Sequence, residues 1–200
     1  DLASRLDCAS VAYLFEIVEE KESALFVDHY LPEDTLEESE NDSYSGWAKD
    51  NHIIVTDGNT IDFDKIEEDI KEGCANFNVR VVGYDPHQAT QFSTHLVAEG
   101  IPMVEITQSV KNFSEPMKFL EEIATNGNIQ HDGCPVLEWM ISNVVCHVNA
   151  KDEIYPNKEF RENKIDGVVA TIMALFGFLK YEPEEESVYE SSGIKVLGDD

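Results

Sequence analysis

Two hundred residues with 42% hydrophobic content suffice for one full α/β domain and not for two large ones. The longest nearly uncharged stretch, residues 165–179, contains Asp166 and is too short to span a bilayer, so no membrane role is expected. Against 41 acidic residues stand 14 basic ones, a net charge of −27 that resists nucleic acid unless cations or a local basic patch intervene.

No basic and apolar leader opens the sequence, so neither a signal peptide nor secretion is expected. A first residue of Asp rather than Met reads as a processed or excised piece. Cys8, Cys74, Cys134 and Cys146 are widely and irregularly spaced, which fits reduced thiols and not a disulfide framework.

In chain order, residues 10–18 and 23–31 are apolar, β-prone runs separated by charged residues 19–22, which predicts an antiparallel hairpin. Acidic residues 33–42 read as a solvated helix face or loop. Residues 62–76 place Ile66, Ile70 and Cys74 at spacing four and predict an amphipathic helix. A short apolar run at 79–84 predicts a buried strand near the centre of the sheet. A helix over 86–99, a strand over 101–106 and a helix over 114–125 follow. Then come a strand at 128–131, a helix at 135–142, a strand at 143–149 and a long apolar helix at 163–181. Alternation of this kind predicts a mixed, mostly parallel α/β sheet with helices on both faces. Residues 182–200 read as an acidic tail leaving the domain.

Two carboxylates stand out. Asp85 ends a predicted strand immediately before Pro86, which holds it at a strand-to-helix corner, where open α/β sheets place their ligands. Its bland role is a helix cap. Asp166 is the one acid between residues 164 and 179, on an otherwise apolar helix, where it caps, pairs with a cation or binds metal. Gly167 beside it leaves room for backbone or ligand to approach. Asp1 and Asp7 carry no signal of their own. No Walker phosphate loop occurs. His131, Cys134, Cys146 and His147 match no common zinc spacing, and neighbours Cys146 and His147 on a strand point to opposite faces.

The segments DLASRLDCASVAYLF, LPEDTLEE, GNTIDFDKIEEDI, VVGYDPHQATQF, PVLEWMISNVV and KIDGVVATIMAL occur in one order. In that order the chain resembles the C-terminal nuclease domain of tailed-bacteriophage terminase large subunits, from its first residue through SVYESSGIKVL at 187–197. The resemblance implies an RNase H-like mixed sheet flanked by helices over 1–181, its first strand truncated at the N-terminus, with the family's upstream ATPase domain absent. It also implies a metal-dependent endonuclease that cuts concatemeric DNA during genome packaging. The family's three catalytic and metal-binding Asp fall on Asp1, Asp85 and Asp166. Their cofactors would be two divalent cations, Mg²⁺ or Mn²⁺, because three carboxylates about 4 Å apart repel by roughly 4 kcal/mol per pair at an effective dielectric near 20. Double-stranded DNA is the implied substrate, with the ATPase domain, the small terminase subunit and the portal as partners, at the procapsid in the host-cell cytoplasm. Lys111, Lys118, Lys158 and Lys164 are the expected DNA-backbone contacts. Three positions depart from the family pattern: Glu138 stands in the place of an Arg, Cys134 in that of an Asn, and His87 in that of an aromatic. The first two would weaken the charge of the DNA-facing side. A non-catalytic acidic docking module of the packaging motor is the alternative reading, and a resolvase-like relative a lesser enzymatic one.

Overall fold

Strand β1 (Ala9–Ile17) and strand β2 (Glu22–Pro32) form the predicted hairpin, in register from Ala9 opposite Tyr30 to Ile17 opposite Glu22. The computed structural model describes residues 8–17, 19–39, 41–87, 90–160 and 162–180. Asp1, Arg5, Asp7, Arg161 and the expected tail at 182–200 lie outside them. The hairpin turn includes Lys21 at φ 56°, a left-handed conformation uncommon outside glycine.

Side chains of β2 alternate between two cores, as a strand period of two requires. Leu25, Val27 and Leu31 pack with helix α6 (Pro135–Ser142) and helix α7 (Asp166–Lys180). On the other face Tyr30 joins Ile66 and Ile70 of helix α3 (Phe63–Asn76) and Phe92 and Leu96 of helix α4 (Thr90–Ala98). Burying Ile66 and Ile70, one turn apart, is what the spacing of α3 predicts, and Asp62 caps that helix by accepting from the Asp64 and Lys65 amides.

Strand β3 (Ile54–Thr56) and strand β6 (Ile129–His131) both pair with β2 in parallel, at its two ends. Strand β4 (Val82–Tyr84) pairs in parallel with strand β5 (Met103–Glu105). Strand β7 (Val144–Val148) and strand β8 (Ile154–Lys158) make a separate antiparallel hairpin. Three of the five strand pairings among the described residues are therefore parallel. Helix α1 (Glu33–Glu38) and helix α2 (Ser43–Lys49) lie between β2 and β3, and helix α5 (Val110–Thr125) between β5 and β6.

Several boundaries differ from the sequence expectation. Helix α4 begins at Thr90 and not at Pro86, because the Asp85 carboxylate takes the His87 amide and makes a local turn there. Helix α5 begins at Val110, four residues before the expected start. Ser109 caps it by accepting from the Asn112 amide, and Pro116 lies buried in its interior. Short elements α2, β3 and β8 carry too little periodicity to be read from sequence.

Strand β4 is half-buried, and it forms no described pairing with β1. Between β1 and β4 runs a groove of about 770 Å³, walled by residues 10–16 and 78–85. Ile66, Ile70 and Phe77 close one side of it, and Ala170, Met173 and Phe178 of α7 the other. The groove therefore lies in the sheet layer itself, between the helical layers.

Candidate active site

Two contacts set the direction of β4 against α7. A β-carbon on Gly177 would stand 3.1 Å from the Val81 side chain, and one on Gly83 would stand 3.6 Å from the Met173 carbonyl oxygen. Two strand residues and four helix residues each advance about 6 Å, so β4 runs antiparallel to α7. Asp85, two residues beyond Gly83, is thus carried toward the end of α7 that begins with Asp166. Close to that same end lies the start of β1, because Ser10 bonds His29 at 3.0 Å and His29 abuts Gly167. Asp85 also lines the mouth of the groove.

Asp85 is half-buried, and its Oδ1 accepts the His87 amide at 2.8 Å. That bond fixes the carboxylate in a turn and not at the cap of α4. Asp166 is half-buried in the first turn of α7, where the helix dipole favours a negative charge. Its main chain enters the helix through the Ile165 carbonyl, which accepts from both the Val168 and Val169 amides at 2.9 Å. Asn143 donates through Nδ2 to the Lys164 carbonyl at 3.0 Å and ties this entry to the end of α6. Asp1, the third expected carboxylate, lies outside the described residues. Among the described residues no three His, Cys, Asp or Glu side chains are grouped so as to hold a metal ion.

Tyr155 of β8 is a neighbour of Asp85 that sequence reasoning missed. Burial raises its phenol pKa, and the negative charge of Asp85 raises it further. Its ring stacks on Phe113 of α5, with centroids 5.6 Å apart. Nothing in the local sequence marks it, since the hairpin that delivers it was not expected to extend past residue 149.

The four expected DNA contacts do not form one patch. Lys111 and Lys118 are exposed on α5 and line a hollow with Glu115, Glu122 and Glu153. Phe119 stacks on Phe178 and Glu115 pairs with Lys180, so this part of α5 follows the C-terminal half of α7, away from Asp166. Lys158 ends β8, opposite Val144. Lys164 is half-buried and stands two residues before Asp166. Cys134 is buried at 4% exposure and packs in the core. Glu138 is exposed. No helix among the described residues is long and apolar enough to cross a membrane.

Residues 1–182 match the family model described as "Terminase large subunit, endonuclease domain". The chain is similar to Protein YmfN of Escherichia coli strain K12, with 36% identity over 98% of the chain and 46% of that protein. It is similar as well to the terminase large subunit of Enterobacteria phage HK97, with 27% identity over 88% of the chain and 36% of that subunit. The crystal structure of the HK97 bacteriophage large terminase superposes with a TM-score of 0.80 at 26% identity, over 88% of the chain and 38% of that structure. The chain thus spans less than half the length of the curated relatives it matches, and its fold is the RNase H-like one.

Proposed function

We infer the function from one premise: the chain belongs to the endonuclease-domain family of terminase large subunits. We propose that it hydrolyses phosphodiester bonds of concatemeric double-stranded DNA during phage genome packaging, with Asp1, Asp85 and Asp166 holding two divalent cations. The direction of β4, which leads Asp85 toward the end of α7 where Asp166 stands, is the observation that supports this reading.

Carboxylate oxygens are hard donors, which suits Mg²⁺ or Mn²⁺. Such ions, when bound, supply an activated water and offset charge at the scissile phosphate. Asp166 contributes its carboxylate from a helix start that is packed against the sheet. Asp85 contributes one locked by its own turn. Tyr155 keeps its proton at neutral pH and offers a neutral hydroxyl beside Asp85 to a phosphate oxygen. In the longer protein, a neighbouring ATPase domain, the small subunit and the portal would bring DNA to the site in the host-cell cytoplasm. That tethering compensates for a −27 domain that attracts DNA poorly on its own.

Plasmid nicking by the full-length protein tests the assignment. Activity is expected with Mn²⁺ or Mg²⁺, to vanish with chelator, and to be lost in Asp85→Ala and in Asp166→Ala while the thermal transition stays in place. Undiminished nicking by both variants would place the chemistry elsewhere, and no nicking by the wild type would favour the docking-module reading.

A further inference from the structure

We propose that His29 is a positioning residue for Asp166, acting through Gly167; the inference rests on the nuclease reading above. Gly167 follows Asp166 directly, and the main chain there is enclosed. A β-carbon at 167 would lie 2.6 Å from His29 Cε1, closer than real side chains come, and 3.1 Å from Met140 Sδ, which would have to give by a few tenths of an ångström. The Gly167 amide donates to Met140 Sδ at 3.1 Å, and its carbonyl accepts from Thr171 Oγ1 at 2.8 Å. Glycine is thus required here by close approach.

His29 forms the rigid side of this seat. It is 1% exposed on β2, and its Nδ1 is bonded to Ser10 Oγ on the neighbouring strand β1. The ring is therefore fixed to two paired strands and cannot turn aside. Its Nε2 is buried with no hydrogen-bond partner among the described groups, so the ring serves here as a spacer of fixed shape. Met140, on α6, is the flexible side. How far α7 stands from the sheet at its first turn is set by the His29 edge, and with it the location of the Asp166 carboxylate. No sequence signal links residue 29 to residue 167; only the fold places them in contact.

The seat makes a steric prediction that a merely structural core residue does not. Nicking by the full-length protein, with Mn²⁺ titrated at saturating DNA and DNA titrated at saturating Mn²⁺, is one readout, and direct Mn²⁺ binding followed by calorimetry without DNA is the other. Gly167→Ala is expected to lower kcat by about a hundredfold, the effect of displacing a reacting group by about 1 Å. The half-saturating Mn²⁺ concentration is expected to rise by about tenfold, with KM for DNA unchanged. Adding His29→Ala to Gly167→Ala opens the space that the new methyl needs and is expected to recover about tenfold of the lost rate. If the double variant is no better than Gly167→Ala, or if Gly167→Ala matches wild type, the inference is wrong. If Gly167→Ala does not fold, His29→Ala alone is read: a raised Mn²⁺ requirement supports the seat, and an unchanged one overturns it. Wild type inactive with Mn²⁺ would instead defeat the nuclease reading itself, and with it the inference.

Discussion

Gly83 lies against Met173: a β-carbon added to the glycine would stand 3.6 Å from the methionine carbonyl oxygen and would collide with the Ile106 side chain. The bare α-carbon at 83 leaves the space that the Ile106 side chain occupies. Gly83→Val is expected to destabilise the protein by about 1–3 kcal/mol through overpacking. Urea denaturation checks it. An unchanged midpoint would mean that β4 is not pinned at Gly83.

Asp28 carries a second, separate consequence. Burial raises its carboxyl pKa from 3.8, and the charge of Asp69 raises it further, against a hydrogen bond from Tyr13 that lowers it. A raised folded-state value means that the folded protein holds this proton more tightly than the unfolded chain. Stability from this group is therefore lost as pH rises from 3.8 through the folded value. Asp28→Asn keeps an acceptor for Tyr13 and removes the charge. Its melting temperature is expected to exceed that of wild type by about 2–4 °C at pH 7, with the difference vanishing below pH 3.8. A lower melting temperature at pH 7 would contradict the sign.

His29 acts in the opposite direction. Burial lowers its pKa from 6.5 to about 4, with nearby Asp132 opposing the shift and His52 adding to it. The unfolded chain then binds the proton that the folded protein refuses, so stability is lost as pH falls from 6.5 toward 4. His29→Leu removes this titration. Its stability, measured by urea denaturation, is expected to fall less than that of wild type between pH 6.5 and pH 4. Identical pH profiles would show that His29 is not shielded.

Among the four lysines, position distinguishes one. Lys164 precedes Asp166 by two residues, whereas Lys118 shares its hollow with Glu115, Glu122 and Glu153. Lys164→Ala is expected to weaken DNA binding and to reduce the salt slope by about one phosphate contact. Lys118→Ala is expected to leave both unchanged. Filter binding across a salt series separates the two. Equal losses would mean that DNA also follows α5.

Much of this was legible in residues. The hairpin, α3 and α7 follow from strong periodicity, and Asp85 and Asp166 stand out because one precedes Pro86 and the other interrupts an apolar helix. What sequence hides is tertiary. Helix α5 starts four residues before its expected start because Ser109 caps it, a bond that only the folded chain displays. The turn at Asp85–His87 replaces a helical first turn through a single side-chain bond. Tyr155 reaches Asp85 only because β7 and β8 fold back on each other. Lys111 and Lys118, seven residues apart, do share a face of α5 as helical spacing requires, but the acids around them come from that helix and from Glu153.

The direct test is a crystal structure of the full-length protein soaked in Mn²⁺, with anomalous scattering used to locate the ions. Two manganese peaks bridged by the carboxylates of Asp1, Asp85 and Asp166 are expected at the N-terminal end of α7. Peaks absent from that end at saturating Mn²⁺, or held by other residues, would contradict the assignment of these three aspartates.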